Sequence, residues 1–366
     1  SRLANPKIGW LFGWLTFWYL AIAVVALDNA LASQAVMPLV GMQENESAAR
    51  LITVAILVVQ AVLVIASTRL LGIITSSAVG IELVIVVVLV IALAVVMVFT
   101  GTGTLGNLTS RGITADSSDY FAIGGGLMAG MIMGLTTLVG FDSAANLAEE
   151  AKDPFRSVPR AIVASVVAAA LLGLLFLIAL TIAIKDIPAV SGSGSPVAAI
   201  IRSQLGPVTE RILLAALAFA MFGAGMVVMA ACSRQVFAMA RDRRFPAHTL
   251  MRQVNPRTQT PVPATILILV VGVVLMIALP GAALLQLIIG STILPALIYG
   301  ATVILYLVVR KTLERKEGGF SLGRFELPVA IAALIWVAAA MVFLVTPGDA
   351  SVPVLIVIGV ILVGGV

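Results

Sequence analysis

The sequence is poor in the residues on which most enzyme chemistry depends. It contains one cysteine, Cys232, and one histidine, His248, in 366 residues. A lone cysteine excludes an intrachain disulfide and a cysteine-based metal cluster. His248 falls in a basic loop, and no His-Glu-x-x-His, Walker loop, paired intramembrane aspartates or Ser/His/Asp set accompanies it, so no metal site, cofactor or catalytic group is expected. Charge is scarce as well, at 11% of residues, against about 25% in an ordinary soluble domain. Apolar residues fill the space: 61% are hydrophobic and the mean hydropathy is +1.16. This is the composition of an integral membrane protein. No cleavable signal peptide is visible, and Ser1 rather than methionine opens the chain, so residues upstream are expected.

A hydrocarbon core of roughly 30 Å needs about 20 apolar residues of helix. Ten such stretches are present, near 10–38, 51–68, 75–99, 121–148, 160–184, 212–240, 262–279, 283–309, 327–346 and 352–366. The alternation of a membrane barrel is missing, so the expected fold class is all-α and polytopic. Prolines mark most joints, with Pro6, Pro159, Pro188, Pro261, Pro263, Pro280, Pro328, Pro347 and Pro353 at or near span ends. Alternating the spans from side to side leaves only Arg50, Arg111, Lys185, Arg202 and Arg211, of 22 basic residues, on one face. The other face is then cytoplasmic, in a plasma membrane. Topology thus accounts for the net charge of +5, and "RDRRF" from Arg241 to Phe245 calls for no nucleic acid.

The fourth span is unusual. Gly126, Gly130 and Gly134, spaced by four, strip one helix face to backbone and should let a neighbouring helix approach. After them, "TTLVGFDSAANLAEE" mixes β-branched residues, a glycine, an acid and an asparagine where lipid-facing helix would be plain. This pattern predicts a helix broken around Thr137 to Phe141. Freed backbone groups are tolerated at that depth only if they face protein or a water-filled cavity, and with two half-helix dipole ends they can hold a small charged or zwitterionic molecule. Ser143 or Asn146 could cap the restarting half, with Asp142 at its N-terminus, while Glu149 and Glu150 mark the helix end.

"GFDSAANLAEEAKDPFRSVPRAI" (Gly140 to Ile162), "CSRQVFAMARDRRFP" (Cys232 to Pro246) with "NPRTQTPVPA" (Asn255 to Ala264), and "NPKIGWLFGW" (Asn5 to Trp14) closely resemble motifs of the amino acid–polyamine–organocation transporter superfamily. "GIELV" (Gly80 to Val84) resembles its amino acid/choline branch. The resemblance covers the whole chain. It implies a leucine-transporter-type inverted-repeat fold in a single transmembrane domain, with the substrate site at the bilayer midplane. On that pattern the chain begins at the family's third helix and carries ten of twelve spans. Residues 1–100 would complete the first repeat, 121–309 form the second, and 327–366 supply two additional helices. The other broken helix, which would hold a substrate carboxylate, would lie upstream.

Carried over residue by residue, the resemblance implies that Thr136 occupies the place of an aromatic gate in some relatives. Thr137, Leu138, Val139 and Gly140 would present backbone to a substrate amine, and Phe141 would form a nearby wall. The facing helices would contribute Ile22, Gly225, Met229 and Ser291, with Pro295 kinking the last of them. Asp142 matches an acidic position linked to proton sensing in an arginine/agmatine antiporter of the superfamily. Independently of any family, ionisable residues within spans are functional candidates, because they are expensive to bury. They are Asp28, Glu82 and Asp142, each able to exchange a proton during a transport cycle.

The expected function is therefore secondary transport of a small amino acid or related amine across the bilayer, with protons as candidate partners. The alternative is a choline- or polyamine-type cation transporter, which would favour an aromatic cage; the implied lining is mainly small, apolar and hydroxylic apart from Phe141. A channel would need rings of one polar group, whereas these acids are scattered singly. A membrane-embedded enzyme lacks the residues.

Overall fold

The computed structural model describes residues 6–114, 117, 119–122, 124–137, 139–146, 152–312, 320–346 and 350–364. Seven helical stretches are long and apolar enough to cross a membrane: Pro6–Leu39, Glu46–Ala66, Thr68–Thr100, Pro154–Ala183, Pro196–Arg241, Ala283–Val309 and Gly323–Val345. Three shorter apolar helices, Gly126–Thr137, Val262–Ala278 and Ser351–Gly364, complete the set. The protein is all-helical among the described residues, one of the two ways in which a membrane-spanning backbone can satisfy its own hydrogen bonds.

The helices are α1 (Pro6–Ala30), α2 (Glu46–Ala66), α3 (Thr68–Thr100), α4 (Gly126–Thr137), the single turn α5 (Ser143–Asn146), α6 (Pro154–Ala183), α7 (Pro196–Arg241), α8 (Val262–Ala278), α9 (Ala283–Val309), α10 (Glu326–Val345) and α11 (Ser351–Gly364). A π-helical turn, Leu31–Val36, extends α1 into Met37–Leu39. The second, third and fifth spans begin five to seven residues earlier than expected, and two spans shift further. The sixth span starts at Pro196 instead of 212, with Gly206 (φ 84°) and Pro207 breaking it inside. The fourth begins helically only at Gly126 and stops at Thr137.

The chain divides into two compact units, one of Ser1–Thr16, Phe121–Leu174 and Ile289–Val366, the other of Phe17–Tyr120 and Leu175–Ile288. The second unit packs on small residues. A Cβ on Gly272 of α8 would press on Leu57 of α2 and Val25 of α1, and one on Gly223 of α7 would collide with Ala78 of α3. Lipid tails are as apolar as leucine, so close backbone approach and dispersion hold such helices together in place of the hydrophobic effect. Leu89 and Leu93 of α3 join Leu180 and Ala183 of α6 and Ile200, Ile201 and Leu213 of α7 in a buried cluster. Phe245, just past α7, is buried edge-on against Phe17, with ring centroids 5.3 Å apart. In the first unit the Trp14 indole donates to the Val360 carbonyl at 2.9 Å, and Gly364 leaves room for its ring. Val163, Val167, Leu171 and Leu174 of α6 are exposed, a face that lipid can solvate.

The glycine face of α4 differs from expectation. A Cβ added at Gly130 or Gly134 meets nothing within 4 Å, so no neighbouring helix occupies that face among the described residues. Prolines also sit inside helical stretches, Pro38, Pro159, Pro207 and Pro295 among them, where each strips a donor from the carbonyl four residues back. Pro159, expected at a span end, is the sixth residue of α6, and the Phe155 carbonyl accepts from the Phe320 N–H at 3.2 Å. Pro38 follows the π-turn, and the Gln34 carbonyl accepts from the Ser195 hydroxyl at 3.0 Å.

Helix ends are closed with equal care. The Thr260 hydroxyl donates to the Ile65 carbonyl at the end of α2 (3.1 Å). Arg50 of α2 donates to the Met276 carbonyl (2.6 Å) and the Gly281 carbonyl, quieting the negative end of α8. Glu46 Oε1 accepts from Arg50 Nε (2.9 Å) and from the Ala283 N–H that opens α9 (3.0 Å). Two asparagines have roles of this kind: Asn45 caps α2 through the Ala48 N–H, and Asn107 donates to the Thr181 and Ile184 carbonyls. Replacing Arg50 by methionine keeps the apolar stem and removes charge-assisted bonds worth about 2 kcal/mol. A clearly lowered thermal midpoint for Arg50→Met, against an unchanged one for Arg211→Met, is the expected outcome of a melting experiment in detergent.

Candidate functional site

The broken segment lies within the first unit. Helix α4 ends at Thr137 and helical structure resumes at Ser143. Glycine is required at the turn between them: Gly140 has φ +92°, a conformation in which an L side chain is strained. The Val139 N–H donates to the Thr136 carbonyl (3.3 Å), and the Ser143 N–H to the Gly140 carbonyl (3.1 Å). Ser143 does not cap the restarting turn with its hydroxyl, which instead donates to the Gly140 carbonyl at 2.7 Å. At the other edge of the break, Thr136 and Thr137 return their hydroxyls to their own helix, on the Ile132 and Met133 carbonyls.

What closes the break is Tyr299 of α9. Its hydroxyl donates to Asp142 Oδ1 at 2.8 Å and accepts from the Gly140 N–H at 3.3 Å. Its ring lies 4.7 Å from that of Phe141, tilted by 31°. Seven residues earlier, hence on the same helical face, Thr292 Oγ1 shares a 2.9 Å hydrogen bond with Thr136 Oγ1. Thr292 and the neighbouring Ser291 are buried, and Pro295 lies between Thr292 and Tyr299. One face of α9 therefore grips both lips of the broken segment. The result is a half-buried patch holding a carboxylate, a phenol, two aromatic rings and hydroxyls.

Of the residues expected to meet the substrate, the structure brings Thr136, Gly140 and Phe141 together with Asp142 against α9. Thr137 is exposed beside them, Val139 sits in the turn, and Leu138 lies outside the described residues, as do Glu149 and Glu150. Ile22, Gly225 and Met229 belong to the second unit, where all three are buried. So does Asp28, fully buried, whose Oδ1 accepts from Gln60 Nε2 at 2.8 Å. Glu82 is exposed on α3 and makes no described hydrogen bond or ion pair. Tyr299 is the residue that sequence reasoning missed. The available signal was the first of two phenols in the largely apolar run 283–309, one turn beyond the helix-internal Pro295.

A family model described as amino acid permease matches residues 1–366. The chain belongs to the amino acid permease family. It is similar to the rice (Oryza sativa subsp. japonica) amino-acid permease BAT1 homolog, with 29% identity over 238 residues, covering 60% of this chain and 44% of the relative. Similarity to the GABA-specific permease of Saccharomyces cerevisiae is 34% over 137 residues, 37% of this chain and 24% of the relative. The choline transporter of the same yeast is 30% identical over 213 residues, 56% and 37% respectively. This permease chain spans less than half the length of the curated relatives it matches.

Tyr299→Phe leaves the Gly140 amide and Asp142 without their shared partner. A loss of about 1–2 kcal/mol is expected, measured as a lowered thermal midpoint. An unchanged midpoint would mean that the hydroxyl does not hold the break.

Proposed function

We propose that this permease chain is the core of a secondary transporter for a small amino acid or related amine, carried by alternating access in a plasma membrane with the basic loops cytoplasmic. The observation that carries the reading is the break at 137–143, where a backbone amide and a carboxylate meet a single phenol hydroxyl. A substrate ammonium can replace the Tyr299 proton on Asp142, and a substrate carbonyl or carboxylate can accept from the Gly140 N–H, so a zwitterion could substitute for the hydroxyl at both partners. Backbone opened at this depth is where transporters of inverted-repeat architecture place their substrates. On that architecture residues 1–100 finish one repeat, 121–309 form the other and 327–366 add two helices. Ser291, buried beside Thr292 on α9 in the same unit, is the further lining residue proposed.

Asp142 is the proposed proton-coupling group at the site, because its partner is a hydroxyl that can turn to another acceptor when the acid protonates; Asp28 and Glu82 are the further candidates. A second reading, a choline- or polyamine-type cation substrate, draws support from Tyr299: with Phe141 it places two ring faces beside a carboxylate, a setting that favours a cation. The names of the relatives, a GABA-specific permease and a choline transporter, span both readings. Transport rather than catalysis suits a site of backbone, hydroxyl and carboxylate without a nucleophile–base pair.

Thermal stability of the full protein against amino acids, polyamines and choline tests this, since a ligand bound only by the folded state adds about 2.7 kcal/mol at a hundredfold excess over Kd. One amino acid or amine should raise the midpoint and lose that effect in Gly140→Val, while proteoliposome uptake of the same compound should lose its pH dependence in Asp142→Asn. No stabilisation by any compound, or stabilisation unaltered in Gly140→Val, would contradict the reading.

A further inference from the structure

The second unit contains a polar cluster that the proposed substrate site does not use. Asp28 of α1 and Gln60 of α2 are both fully buried. The amide of Gln60 uses both hydrogens, one on Asp28 Oδ1 (2.8 Å) and one on the Phe222 carbonyl of α7 (3.1 Å). Its orientation is thereby fixed, because a flipped amide would set its oxygen against two other acceptors. This leaves two buried acceptors without a donor, Asp28 Oδ2 and Gln60 Oε1, on a pair of side chains already joined. Gly225 of α7 makes the space: a Cβ there would run into Gln60 Nε2 and Asp28 Oδ1.

The surroundings supply no counter-charge in the described bonds. Asn29, next to Asp28, donates to Thr53 of α2 (3.0 Å) and towards the Met276 sulfur of α8 (3.8 Å). Arg50, also on α2, is engaged by Glu46 and the Met276 carbonyl, and the Cys232 thiol of α7 points at the Phe17 carbonyl. None of these hydrogen bonds or ion pairs brings a charged side chain of α2, α7 or α8 to Asp28.

We infer that Asp28 and Gln60 form an intramembrane proton site, in which the carboxyl is held as the neutral acid and its Oδ2–H has Gln60 Oε1 as acceptor. One added hydrogen serves both orphaned atoms, converting two acceptors into an acid–amide pair joined by an O–H···O and an N–H···O bond. The pair, with the Phe222 carbonyl, ties α1, α2 and α7 together. Release of the proton to water restores the carboxylate and breaks one of the two bonds, so occupancy by a proton sets how firmly the three helices are joined. The inference deepens the proton-coupling part of the proposed function, but its test reads the carboxyl without substrate or uptake and so fails or succeeds separately.

The experiment is infrared difference spectroscopy on the full protein in lipid nanodiscs, comparing wild type with Asp28→Asn at neutral pH. A protonated-carboxyl C=O band in the wild type, lost in the variant, is the result expected; the amide that this substitution introduces can form the same pair of bonds with Gln60, so the fold should be kept. Gln60→Met provides a second reading should Asp28→Asn fail to fold: loss of the amide acceptor should move the same band to higher frequency. Absence of the band from wild type, or a band that neither variant alters, would overturn the inference. So would a thermal stabilisation by sodium over potassium chloride at equal ionic strength that Asp28→Asn abolishes, since that would make Asp28 an ionised ligand for a metal cation.

Discussion

Every backbone amide and carbonyl inside a bilayer needs a partner from the protein itself, and this structure is organised by that requirement. At four places where a helix stops or loses a donor, a specific group from elsewhere in the same unit takes its place: Phe320 N–H for the carbonyl freed by Pro159, the Ser195 hydroxyl for that freed by Pro38, Thr260 for the end of α2, and Arg50 for the end of α8. These repairs join residues far apart in the chain. They are backbone groups, short hydroxyls or an arginine already fixed by Glu46, and nothing about them invites exchange for a solute.

The break between α4 and α5 is closed differently. One phenol covers a backbone amide and a carboxylate, with 3.3 Å and 2.8 Å contacts, and the surface around it stays half-buried. Partners that a zwitterion can imitate are the reason this break, and not the repairs, is proposed as a binding site. Membership of the amino acid permease family, established over residues 1–366, agrees with the use proposed for this opening.

Much of this was legible in the sequence because it is local. Span number follows from apolar length, and the break followed from "TTLVGFDSAAN", where residues that suit turns replace those that suit lipid. Tyr299 was not legible, since its meeting with Asp142 joins positions 157 residues apart and depends on which face of α9 turns towards the break. The glycines of α4 were misjudged for a related reason. A small-residue stripe permits close approach but does not supply the neighbour. Gln60 was readable in principle: it interrupts "ILVVQAVLV" as plainly as Asp28 interrupts its own span, but a search confined to ionisable residues passes over the amide that gives a buried acid its partner.

The proposed function requires the segment from Val139 to Asp142 to open onto a water-filled pathway within the membrane. The single native cysteine, Cys232, is fully buried, so single cysteines can be placed at Val139 and Phe141, with Val87 on the exposed apolar face of α3 as a lipid-facing control. Labelling by a charged, membrane-impermeant thiol reagent in sealed vesicles of both orientations is the measurement. Modification at 139 and 141 and none at 87 is the expected result. Protection of all three positions from the reagent would contradict the proposed function.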